Sequence, residues 1–125
     1  MAQFGSGKYT YELIPDFPKL PAGQSFGQIT RIAADSKDRI YVFQRKDPPL
    51  LVFDRDGRYL DGWGAGAITD PHGLRIVDDV VYLTDRAASV VMIFTLDGKL
   101  LQEIGKRGMH SDTGCEKPGT LVPRA

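Results

Sequence analysis

Short runs of β-branched and aromatic residues alternate along this chain with clusters of Asp, Gly and Pro. Ile40-Tyr41-Val42-Phe43 and Val80-Val81-Tyr82-Leu83 are bounded by turn formers, as are Leu50 to Phe53 and Val90 to Phe94. Runs of this composition and length predict strands. Asp56-Gly57 and Asp97-Gly98 then supply tight turns, because Gly accepts the positive φ that hairpins demand. Arg58-Tyr59-Leu60 and Lys99-Leu100-Leu101 begin one more strand after each turn. No segment places apolar residues at helical spacing over a useful length.

The same order of runs occurs twice. Laying Asp56-Gly57 on Asp97-Gly98 sets an offset of 97 − 56 = 41 residues. At that offset, and with no gap, Asp38 to Val42 falls on Asp79 to Leu83, Gln44-Arg45 on Asp85-Arg86, and Leu51-Val52-Phe53 on Met92-Ile93-Phe94. A period of ~40–45 residues with four strands in each repeat fits a β-propeller blade. The strands are expected near 29–34, 39–44, 50–54 and 58–63, and again near 72–77, 80–85, 90–95 and 99–104.

The fold class is therefore all-β. The chain divides into an N-terminal strand and connector (1–28), a first blade (29–64), a second blade (70–105) and a Gly/Pro-rich tail (106–125). Lys8 to Leu13 reads as the N-terminal strand, expected to complete a last blade and clasp a ring shut. Pro15, Pro18, Pro21 and Gly23 make the connector irregular. Propellers use about four to eight blades, so two blades imply a piece of a longer protein or a ring assembled from several copies. Three copies would give six blades.

Composition narrows the partners. Lys and Arg number 16, as do Asp and Glu, and that neutral balance speaks against a nucleic-acid surface. No apolar run approaches the ~20 residues of a membrane span, and the first residues lack a secretion signal, so a cytoplasmic home is expected. Cys115 is the single cysteine and reads as a loop thiol. Gly62 to Gly66 lacks the strand-to-helix context of a phosphate loop. Asp54-Arg55-Asp56-Gly57 stops short of an EF-hand ligand series.

Ile32 to Val42, followed by Leu51-Val52-Phe53-Asp54-Arg55-Asp56-Gly57, resembles the NHL repeat, and so does Val80 to Gly98. More narrowly, the chain from about Phe4 to Pro123 is similar to six-bladed peptidyl-α-hydroxyglycine α-amidating lyases and their bacterial NHL-repeat relatives. That resemblance implies a zinc ion in the central channel, held by three histidines from different blades. It implies cleavage of a C-terminal hydroxyglycine peptide into a peptide amide and glyoxylate. Val42-Phe43-Gln44-Arg45 matches the segment with the family's active-site arginine, making Arg45 the catalytic and substrate-binding residue. Asp70-Pro71-His72-Gly73-Leu74 matches the segment with a zinc ligand, making His72 the metal residue.

The chemistry suits those residue types. The substrate hydroxyl must lose a proton as the C–N bond breaks, and zinc acidifies an oxygen that it binds. An arginine can clamp the terminal carboxylate in a bidentate fork. The chain has two histidines, however, and the second, His110, stands in the Gly-rich loop outside the repeat. The first repeat carries Arg31 at the place of His72. One chain therefore falls short of a three-histidine site. Simpler roles stand beside these: an ion-paired Arg45, a channel-lining His72, a turn-forming Asp85, and Trp63 stacked on the next blade. A non-catalytic platform for protein partners, and less so RNA, is the alternative function.

Overall fold

The computed structural model describes residues 2–109 of the chain, so His110 and Cys115 lie outside it. Ten strands and no helix occur among the described residues, hence none long and apolar enough to cross a membrane. β1 (Gln3–Ser6) and β2 (Tyr9–Glu12) form a hairpin by themselves. β3 (Ile29–Ala34), β4 (Ile40–Gln44), β5 (Leu50–Phe53) and β6 (Tyr59–Trp63) make one antiparallel sheet in chain order. β7 (Pro71–Val77), β8 (Val80–Asp85), β9 (Val90–Thr95) and β10 (Leu100–Ile104) make a second of the same plan.

The two sheets stack through side chains that alternate across each strand. Tyr41 and Phe43 of β4, with Leu50 and Val52 of β5, meet Val81 and Leu83 of β8 and Val90, Met92 and Phe94 of β9. The intervening residues Val42, Leu51 and Phe53 point the other way and are also buried, under Leu20 and Phe26 of the connector. β4 and β5 are thus covered on both faces, which explains their unbroken apolar runs. The sheets approach through β3 and β7, with β4 also touching β7, while β6 and β10 stay apart. Two wedges that converge at their first strands are blade-like in shape.

Trp63 closes the outer part of this junction. Its ring lies 5.0 Å from that of Phe94, and a β-carbon added to Gly98 would stand 2.8 Å from the indole. Gly98 also has φ +90° in the tight turn before β10, so glycine is required there twice over. Trp63 does stack on the following sheet.

The N-terminal strand gains a partner not expected from the sequence, and the last blade that it was expected to complete is not among the described residues. β2 adds to neither sheet and pairs with β1, from Gln3 opposite Glu12 to Ser6 opposite Tyr9. Gly7 and Lys8 form the two-residue turn, with Gly7 at φ 59°, so the segment finds a local partner at little entropic cost. All eight of its strand residues are exposed.

Candidate functional site

Antiparallel pairing brings the ends of β4 and β8 to the same rim as the starts of β3 and β7, with Ile29 opposite Gln44 and Pro71 opposite Asp85. Arg45 follows β4 directly, and its N–H donates to the Gln28 carbonyl at 2.8 Å. Arg86 follows β8 in the same way and donates to the Asp70 carbonyl at 3.0 Å. The repeat therefore sets two arginines side by side on one rim.

Asp70 joins them. One carboxylate oxygen lies 2.9 Å from Arg45 Nε and the other 2.8 Å from Arg86 Nε. Arg45 also reaches the Pro71 carbonyl from Nε at 3.3 Å and Gln28 Oε1 from Nη1 at 3.2 Å. Its side chain is 28% exposed, that of Asp70 19% and that of Arg86 58%. Ion pairs this open contribute about 1 kcal/mol or less each, so their effect is to orient the arginines. Arg45, Lys46, Asp47, Asp70 and Pro71 line an open depression of about 280 Å³ beside them.

His72 stands one residue beyond Pro71, exposed on β7. The pairing of β7 with β8 shifts register between Pro71 and Gly73, and the Gly73 N–H donates to Thr84 Oγ1 at 2.7 Å. His72 is the extra residue of this bulge, and such irregularities re-aim a side chain. The two residues singled out by the sequence, Arg45 and His72, stand at this one rim, where Arg45 reaches the carbonyl of Pro71, the residue before His72. No group of three His, Cys, Asp or Glu suited to a metal occurs among the described residues. His72 alone cannot complete a three-donor zinc site.

Two buried polar groups fasten this rim. Asp85, fully buried, accepts backbone N–H bonds from Thr69 at 2.6 Å, Ala88 at 3.0 Å and Asp70 at 3.1 Å. Burial alone would raise its carboxyl, but those three donors and the charge of Arg107 hold it below the ordinary range. Asp85 thus has the structural role expected of a turn residue. Its repeat partner Gln44 accepts from the Gly27 N–H at 2.7 Å and donates to the Pro48 carbonyl at 3.0 Å.

The opposite rim is acidic and equally tied down. Asp35 accepts from the Lys37 and Arg39 N–H groups, from Arg39 Nε at 2.6 Å and from the Tyr41 hydroxyl at 2.9 Å. Against the opposing effect of burial, these bonds keep its pKa low. Asp79 reaches across from the second sheet to the Ser36 N–H and hydroxyl, at 2.9 and 2.5 Å, and both bonds lower its pKa. With these partners, Asp35 and Asp79 hold turns and join the sheets. Asp54 likewise closes its own turn, accepting from the Asp56 and Arg58 N–H groups, both at 2.9 Å.

The chain matches no protein-family model and, at a significant level, none of the curated proteins. Sequence reasoning missed Asp70 as the group that holds Arg45. Its place directly before Pro71-His72 was in view, but its partners come from 25 residues before and 16 after.

Proposed function

We propose that this chain is a two-blade portion of an NHL-type propeller whose complete ring of six acts as a zinc-dependent peptidyl-α-hydroxyglycine α-amidating lyase. The observation that carries the reading is the contact of Arg45 with the Pro71 carbonyl. It sets the arginine and His72, from separate blades, at one rim beside the converging strands β3 and β7. His72 would supply one zinc donor, and further blades would supply the rest, from a longer parent chain or from two more copies of this one. Bound zinc would act as a Lewis acid on the substrate hydroxyl. Arg45 would bind the terminal carboxylate through guanidinium N–H groups other than Nε, which Asp70 and Pro71 engage. Asp70 keeps that fork in one orientation.

The test pairs solution mass with metal content. Zinc that copurifies with an assembled ring and is lost in His72→Ala supports the reading. Equal zinc binding by His72→Ala and wild type removes His72 as a ligand. One observation favours the alternative of a non-catalytic protein-binding platform: the Arg45 side chain is already ion-paired. Stable capture of a protein by a metal-free chain, with Arg45→Ala assembling normally, would favour that platform.

A further inference from the structure

The connector imitates a preceding blade. On the second sheet, Trp63 from the first covers Gly98 and stacks near Phe94. On the first sheet the positions 41 residues earlier are Gly57 and Phe53. Phe17 covers Gly57, where an added β-carbon would stand 2.5 Å from its ring, and Phe26 lies 6.0 Å from Phe53. Leu20 packs against Val42, Leu51 and Phe53, and the Lys19 N–H donates to the Gly57 carbonyl at 2.8 Å. The segment thus covers Val42, Leu51 and Phe53, which are the repeat equivalents of Leu83, Met92 and Phe94.

The far side of the second sheet carries the complementary half of the same junction. Tyr82, Thr84, Val91 and Ile93 are the repeat equivalents of Tyr41, Phe43, Leu50 and Val52, which receive the second sheet. Ile104, the equivalent of Trp63, is 51% exposed, and Tyr82 is 38% exposed. Among the described residues the chain therefore holds both halves of the interface that it makes internally, one open and one covered by a segment without regular strand structure. Phe17 is itself 41% exposed, and its cover is held by few backbone bonds.

We infer that Phe17 to Phe26 is a displaceable plug over a blade-docking face, and that the partner displacing it is the second sheet of another copy of this chain. The inference deepens the propeller reading, because it names what must move before copies can join, but it requires neither zinc nor lyase activity. Docking would place Ile104 of one copy over Gly57 and Phe53 of the next. The plug also makes wild-type association weak, since apparent affinity scales with the fraction of molecules whose face is open.

Sedimentation velocity over a concentration series, with a chelator present, tests this on the full chain. Phe17→Ala with Phe26→Ala should tighten self-association by about tenfold or more, through the larger open fraction. Ile93→Asp added to that pair should return the chain to monomer. A plug variant that stays folded by circular dichroism yet sediments as wild type overturns the inference. So does association that survives Ile93→Asp. Should the plug variant unfold, exchange of the Lys19 amide in wild type decides. Exchange that speeds up with protein concentration supports displacement, and exchange independent of concentration overturns it. Loss of the zinc reading through His72→Ala leaves every one of these outcomes unchanged.

Discussion

Asp85→Ala is the sharpest probe of how the second sheet is held. The carboxylate is fully buried and takes three backbone N–H bonds, from Thr69, Ala88 and Asp70. An unpaired buried donor costs about 1–3 kcal/mol. Thr69 is exposed and can recover water, whereas Ala88 is buried. The loss should total about 3–4 kcal/mol, a large share of the ~5–15 kcal/mol that holds a domain of this size. With a urea m-value of about 2 kcal/mol/M, the unfolding midpoint should fall by roughly 1.5–2 M.

Asp85→Asn refines the argument. Its remaining oxygen can keep the Asp70 and Ala88 bonds, but its amide then faces the Thr69 N–H, donor against donor. A loss of about 1–2 kcal/mol is expected, between wild type and alanine. Urea denaturation followed by tryptophan fluorescence reads both variants, because Trp63 lies in the junction. If alanine costs under about 1 kcal/mol, or asparagine costs as much as alanine, the hydrogen-bond account of this rim fails.

Gly98→Ala combines φ strain with a clash against Trp63 and should lose about 2–4 kcal/mol. Gly57→Ala meets the half-exposed Phe17 and should lose less in thermal unfolding. Asp35 and Asp85 both have folded pKa values below 3.8. Their stabilisation is present above the unfolded pKa and is lost as pH falls through the folded value. Melting temperature should therefore be nearly flat above about pH 5 and drop below about pH 4, and a melting curve series that drops between pH 7 and 5 would contradict this assignment. Removing residues 1–14 deletes an exposed hairpin and should shift stability by less than about 1 kcal/mol, measured by urea titration.

Much of the fold could be read from the repeat. Strands expected near 58–63 and 72–77 are found at 59–63 and 71–77, because alternation and Asp-Gly turns are local signals. The hairpin of β1 and β2 was legible in part. Gly7-Lys8 is a fitting two-residue turn, but Gln3 to Ser6 has too little β character to announce a strand. The site was less legible. Arg45 and His72 stand in recognisable segments, yet the carboxylate that holds Arg45 is defined by approach of the two sheets. Phe17 over Gly57 was equally hidden, since its partner is a turn 40 residues away and its own segment has no periodic pattern.

Gln44 and Asp85 occupy one place in the repeat, yet they are not interchangeable. The loop after Gln44 turns the Pro48 carbonyl toward the strand end, and the glutamine donates to it. The loop after Asp85 offers the Ala88 N–H, and the carboxylate accepts it. Residue type at the strand end should therefore follow whether the loop behind it presents a carbonyl or an N–H. A lineage whose second loop turns a carbonyl toward this strand end should exchange its aspartate for an amide, and one whose first loop turns an N–H inward should be free to acquire an acid.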